Sequence, residues 1–179
     1  MKIDHTELGG VKLLQDGCGA CGQPPRLHLS HAQHILGMRF RQECQQFTRR
    51  AGTVRGLFGQ VPPHAGTTLL RVVAGQIKAV TVDLRVGSTT YGRWAAATLS
   101  AANRRQLLVP PGVLHGFITI VPDTTVLSRA TVPAPSTALR RVHFADPALN
   151  IDWGIPTARI LADTQDANAP RLHGQELAA

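Results

Sequence analysis

Aromatic residues are scarce in this chain: Phe, Trp and Tyr together make up 4% of 179 residues, with a single tyrosine. Single strands of nucleic acid are held largely by stacking on such side chains, so that mode of binding lacks its platforms. Lysine is almost absent too, and the net charge of +8 rests on arginine. The arginines fall in scattered pairs, Arg49-Arg50, Arg104-Arg105 and Arg140-Arg141, and not in one basic arm. Neither pattern supports a nucleic-acid partner. A small anion such as a nucleotide diphosphate suits the charge equally well. No apolar run approaches the ~20 residues of a membrane helix, so no membrane partner is expected. The opening Met1-Lys2-Ile3-Asp4-His5 has an early acid and no apolar stretch, unlike a secretory signal, and the cytoplasm is the expected location. Three cysteines cannot all pair within one chain, and no structural disulfide is expected.

What is present is a β pattern. Hydrophobic residues make 43% of the chain, and 17 glycines and 12 prolines punctuate it. From about Phe40 short apolar runs alternate with turn signals. The runs are 53–58, 68–73, 76–84, 93–99, 106–109, 116–120, 125–131 and 139–144. Turn-forming clusters such as Val61-Pro62-Pro63-His64 and Val109-Pro110-Pro111-Gly112 separate them. Short strands at this spacing predict an all-β sandwich or barrel of jelly-roll type. Several runs are apolar at successive positions, as when both faces of a strand are covered. The expected organisation is an irregular segment over 1–38 and a single jelly-roll domain over 39–179. Its polar, alanine-rich end reads as a short helix or an irregular tail. Ligands of such barrels bind in the mouth between the sheets.

The first segment contains Cys18-Gly19-Ala20-Cys21, followed by His28, His31 and His34. Two thiolates with two of these imidazoles would suffice for a tetrahedral zinc, although the spacing matches no familiar finger, and a plain loop is the expected reading. No cofactor is expected.

Eight stretches carry a resemblance to a known family. They are Val54-Arg55-Gly56-Leu57, Leu70-Arg71-Val72-Val73-Ala74-Gly75, Val82-Asp83-Leu84-Arg85-Val86-Gly87-Ser88, Tyr91-Gly92-Arg93-Trp94, Leu99-Ser100-Ala101-Ala102-Asn103, Gln106 to Gly112, His115-Gly116-Phe117, and Asp146 to Trp153. With these motifs the chain resembles the dTDP-4-dehydrorhamnose 3,5-epimerase family of cupins. The resemblance implies a metal-free, dimeric jelly roll acting on a 4-keto-6-deoxy sugar of thymidine diphosphate. Such a reaction removes a proton beside a ketone and returns one to the other face. In the family a histidine oriented by an aspartate is the base, a tyrosine gives the opposite proton, and a lysine lies near the developing charge. At the matching positions this chain has Phe58 for the histidine, Ala79 for the aspartate, Thr68 for the lysine and Ser128 for the tyrosine. Arg55, His115, Gln42 and Gln60 match family positions near the substrate. His115 also sits where metal cupins place a ligand, but the strand over 67–73 offers no companion, and a hydrogen-bonded pocket histidine is expected.

The four replacements set the expectation for function. The chain reads as an epimerase-like enzyme reused as an isomerase or cyclase on a neutral carbonyl-containing secondary metabolite. His115 would then be a lone acid or base and Arg55 an oxyanion stabiliser, with Phe58, Gln42, Gln60, Thr68, Ala79 and Ser128 contacting the substrate. One alternative is a non-catalytic protein that binds a ligand or partner. Another is a dTDP-4-keto-6-deoxysugar 3,5-epimerase whose base lies elsewhere in the chain.

Overall fold

A computed structural model describes residues 2–15 and 37–172. The strands, in chain order, are β1 (Lys2–His5), β2 (Lys12–Gln15), β3 (Gln42–Thr48), β4 (Val54–Gln60), β5 (Thr68–Ala74), β6 (Gln76–Asp83), β7 (Trp94–Ser100), β8 (Arg105–Val109), β9 (Val113–Thr119), β10 (Thr124–Ala130) and β11 (Leu139–Arg141). One helical turn, α1 (Thr164–Ala167), follows. The strands form two antiparallel sheets, of order β1-β2-β8-β5-β10-β3 and β11-β4-β9-β6-β7. This is the all-β jelly roll expected from the run-and-turn pattern. Among the described residues no helix is long and apolar enough to cross a membrane.

Two findings correct the expected organisation. The segment over 1–38 is not irregular throughout, because β1 and β2 extend the larger sheet beyond β8. Leu8, Val11 and Leu14 anchor it, each at most 1% exposed, and their burial outweighs the short length of the strands. Cys18, Cys21, His28, His31 and His34 lie outside the described residues, and the zinc reading with them. The second correction is β3. Its sequence, Gln-Glu-Cys-Gln-Gln-Phe-Thr, is polar and mostly exposed, so no apolar run announces it. It forms because β10 offers a free edge along its whole length, from Thr124↔Thr48 to Ala130↔Gln42.

The core is layered. Between the sheets, Leu70, Val72, Leu107 and Val109 meet Ile77, Ala79, Leu99, Val113 and Phe117. A second cluster covers the outer face of the smaller sheet, where Val54, Leu57, Val80, Val82, Leu114 and Ile118 pack on Val142, Phe144, Leu149 and Trp153. The chain after β11 therefore forms a third layer. It is pinned by Trp153 Nε1 donating to Phe144 O at 2.9 Å and by Leu172 N donating to Asp146 Oδ2 at 2.6 Å. This layer covers the outer face of β9, which with the opposing sheet leaves all seven of its positions buried.

Asp83, fully buried, locks the turn after β6. Arg85 donates to it through Nε at 2.9 Å and Nη2 at 2.7 Å, and Ser88 and Thr90 hydroxyls each donate at 2.6 Å. Arg85 Nη2 also reaches Gly9 O at 2.8 Å, tying the N-terminal hairpin to the smaller sheet. Burial opposes ionisation, but the donors outweigh it and hold the carboxyl well below the usual carboxylate range.

The strands β4 and β9 approach unusually closely. Gly56 has φ +101°, and a Cβ there would stand 2.8 Å from His115 O and 2.9 Å from Gly116 Cα. A Cβ at Gly116 would stand 2.7 Å from Arg55 O. The register shifts between Arg55 and Phe58, after which Phe58 faces His115 directly across the ladder.

Two outcomes follow from this packing. Asp83→Asn is expected to cost on the order of 2–4 kcal/mol in urea unfolding, since it leaves buried donors without a charged acceptor. Because the Asp83 pKa is depressed on folding, its contribution is full above the unfolded value, about 3.9, and fades as the pH falls below it. The Asn variant should therefore lose less stability than the wild type on acidification, and parallel losses would refute this role. Gly116→Ala is expected to cost about 1–3 kcal/mol and to weaken the Phe58–His115 ring contact seen by NMR; unchanged stability and ring contacts would show that the two backbones can separate freely.

Candidate functional site

The mouth between the sheets holds a cavity of about 260 Å3, of a size for a small molecule. β3 lines it with Gln42 and Cys44, β4 with Arg55, Phe58 and Gln60, β5 with Thr68, β9 with His115, β10 with Ser128 and Arg129, and β11 with Arg141. Seven of the eight residues expected at the site are thus brought together. Ala79 is not. It lies on β6, wholly buried in the apolar core between the sheets, and does not line the cavity. The physical reason is position in the sheet: β6 is separated from β4 by β9, and Ala79 pairs with Phe117.

His115 is 5% exposed, and its Nδ1 is buried with no partner among the described residues. Burial pushes its pKa down from 6.5 to about 4, so the ring is neutral at physiological pH. The Phe58 ring stands edge-to-face against it, with centroids 4.7 Å apart and planes at 62°. The position that the resemblance assigns to a basic imidazole is therefore an apolar wall.

The polar residues are mostly engaged. Gln42 Oε1 accepts from Ala134 N at 3.1 Å, and Gln60 Nε2 donates to Val132 O at 3.0 Å. The Gln60 Oε1 atom is buried with no partner among the described residues. Ser128 Oγ donates to Cys44 O at 3.3 Å. Arg129 pairs with Glu43 at 2.6 Å, and Arg55 pairs with Asp163.

Sequence reasoning missed the carboxylates. Asp163 and Asp166 reach the cavity from the far end of the chain, in a stretch read as a short helix or an irregular tail and given no site residue. A short backbone bridge delivers them: Val54 N donates to Leu161 O, and Leu161 N to Gly52 O, both at 2.8 Å. Asp163 then caps α1, its Oδ1 accepting from Asp166 N at 2.8 Å. Asp166 is 2% exposed, the one buried carboxylate among the described residues that line the cavity. Its Oδ1 accepts from Arg141 Nη1 at 2.7 Å. Burial raises its pKa; the Gly56 backbone N–H opposes this, Asp163 adds to it, and Arg141 and Arg55 oppose it, leaving a net rise. The only signal in the sequence was the pairing of two acids three residues apart, which is common on any solvated turn. Among the described residues no group of three or more His, Cys, Asp or Glu side chains is arranged to hold a metal.

The arrangement offers a neutral imidazole, a buried carboxylate with a raised pKa, and guanidinium groups around a partly apolar cavity. Such a set can take a proton from carbon and stabilise the resulting oxyanion.

Comparison with known proteins agrees with that chemistry. The family profile described as dTDP-4-dehydrorhamnose 3,5-epimerase matches residues 21–174. A Sinorhizobium fredii protein named dTDP-4-dehydrorhamnose 3,5-epimerase is 40% identical over 73% of this chain and 67% of its own length. A protein of that name from Neisseria gonorrhoeae is 40% identical over 90% of this chain, but the match spans only 50% of its length. Among solved structures, the epimerase from Bacillus anthracis, with TDP and PPi bound, superposes with a TM-score of 0.86 at 34% identity, covering 96% of this chain and 99% of that one. The Legionella pneumophila enzyme in complex with dTDP-4-keto-L-rhamnose gives 0.83 at 28%, covering 96% and 92%. These relatives overturn the expectation of a reused isomerase or cyclase on a neutral secondary metabolite, and they weigh equally against a non-catalytic binder. The expectation was drawn from the four replaced positions, whereas the cavity also takes in a carboxylate, Asp166, over 100 residues beyond Phe58. Since the matched stretch takes in every strand that lines the cavity and the segment that carries Asp166, the chain belongs to the dTDP-4-dehydrorhamnose 3,5-epimerase family.

Proposed function

We propose that this chain epimerises a dTDP-linked 4-keto-6-deoxy sugar, with an acid–base set that departs from the family pattern at position 58. Asp166 carries this reading: it is a buried carboxylate with a raised pKa, lining the cavity of a protein whose relatives are named epimerases. A carboxylate in low dielectric is a competent base toward the proton beside a ketone, because burial raises its affinity for that proton. Proton removal leaves Asp166 as a carboxylic acid and the sugar as an enolate. His115, neutral at working pH, supplies an N–H for the enolate oxygen. Exposed residues such as Gln42 and Cys44 line the same cavity, so it opens to water, which returns a proton to the other face of the carbon while Asp166 releases its own proton to the hydroxide so formed. Arg55 and Arg129 provide positive charge at the mouth for the diphosphate. Phe58, Thr68 and Ser128 shape the wall against the sugar. Homodimerisation, implied by the resemblance, belongs to the same reading.

Incubation with dTDP-4-keto-6-deoxyglucose in D2O, followed by proton NMR, tests this directly. Deuterium is expected at C3 or C5 at a rate set by protein concentration. Asp166→Asn should lower that rate on the order of 100- to 10,000-fold, the usual loss for a positioned base. Failure of the wild type to exchange either proton above the protein-free control would sink the epimerase reading, and undiminished exchange by the Asn variant would remove Asp166 from the role.

A further inference from the structure

Arg141 touches both the aromatic wall and the buried carboxylate. Its Cζ lies 5.5 Å from the centroid of the Phe58 ring, within cation–π range. Its Nη1 donates to Asp166 Oδ1 at 2.7 Å and its Nη2 to Gln165 Oε1 at 3.1 Å. The backbone adds a third restraint, since β11 pairs with β4 so that Arg141 stands directly opposite Phe58. One guanidinium is thus located by a ring, a carboxylate and a strand register.

We propose that Arg141 is the positioning residue of this site, held by Phe58 and the β4–β11 register so that it orients Asp166 and keeps it ionised as a proton acceptor. The proposal rests on the epimerase reading for its chemistry, not for the coupling itself. It also gives Phe58 a task, because the ring that replaces a basic imidazole becomes the seat of a fixed cation. The family pattern implied by the resemblance, an imidazole base oriented by a carboxylate, is inverted into a carboxylate base oriented by a cation.

The surroundings of Asp166 set the sign. Burial and Asp163, from its own segment, push the carboxyl toward its neutral form. Arg141 from β11, with Arg55 and the Gly56 N–H from β4, pushes the other way. His115 of β9 reaches the same Phe58 ring and is uncharged at neutral pH. Arg55 is already bound to Asp163, so Arg141 is the cation that bonds Asp166 itself. Without it the carboxyl pKa must rise, and the fraction ionised at neutral pH must fall.

The test is a carbon-13 NMR titration of the aspartate carboxyls in the full-length protein, with the Asp166 signal assigned by its loss in Asp166→Asn. Arg141→Gln is expected to raise the Asp166 pKa by about one unit or more. Arg141→Lys, which keeps the charge but loses the second donor, should return most of that shift, and it decides the matter should the Gln variant fail to fold. In the exchange assay the acid limb of the pH profile should move upward by the same amount in Arg141→Gln, with kcat lowered more than KM is raised. An Asp166 pKa within a few tenths of the wild-type value in folded Arg141→Gln would overturn the proposal. So would a large rise in KM with an unmoved acid limb, which would place Arg141 on the substrate instead. The titration needs no substrate, so a wild type that shows the coupling but exchanges no proton refutes the epimerase reading alone.

Discussion

The site depends on the close approach of two backbones. Gly56 and Gly116 let β4 and β9 come nearer than any side chain would permit, and the ladder slips between Arg55 and Phe58 as a result. That slip sets Phe58 against His115. It also orients the outer edge of β4, where β11 pairs and brings Arg141 across from Phe58. A Cβ at either glycine would meet main-chain atoms, which cannot swing aside as a flexible side chain can. The chemistry of the cavity therefore rests on two residues with no side chain of their own.

The electrostatics of the cavity follow from how unevenly it is buried. Arg129 and Arg55 are matched by Glu43 and Asp163, acids that are about half exposed at 53% and 43%. Pairs of that kind are worth little to stability, but they leave cations at the mouth where an anionic substrate would enter. Deeper in, water no longer screens. There His115 stays uncharged at neutral pH, and Asp166 is drawn toward its neutral form. Arg141 spans the two regimes, with 26% of its side chain exposed and its guanidinium on a carboxylate that is 3% exposed.

Much of the fold was legible from residue pattern. The runs that became β4 to β8 and β10 were bounded by glycine and proline turns, and burial on one or both faces made them apolar. The polar strand β3 was invisible, because it is an edge held by backbone pairing alone. The end of β11 was placed a few residues late for a related reason. Val142 and Phe144 continue the apolar run but serve the layer that covers the smaller sheet, and not the sheet itself. The motifs located Arg55, Phe58, Thr68, His115 and Ser128 around one cavity, while Ala79 was placed there wrongly.

By itself the sequence determined the fold class, the family resemblance and the phenylalanine at position 58, since each is a property of residue type and spacing. Tertiary structure alone decided which acid and which cation share the cavity with Phe58. Asp166 and Arg141 are unremarkable as sequence, one in a polar tail and the other in a basic pair. They become a site because the bridge at Leu161 and the register of β11 carry them to the same wall. Burial, which no local pattern records, then shifts the pKa of the carboxylate they share.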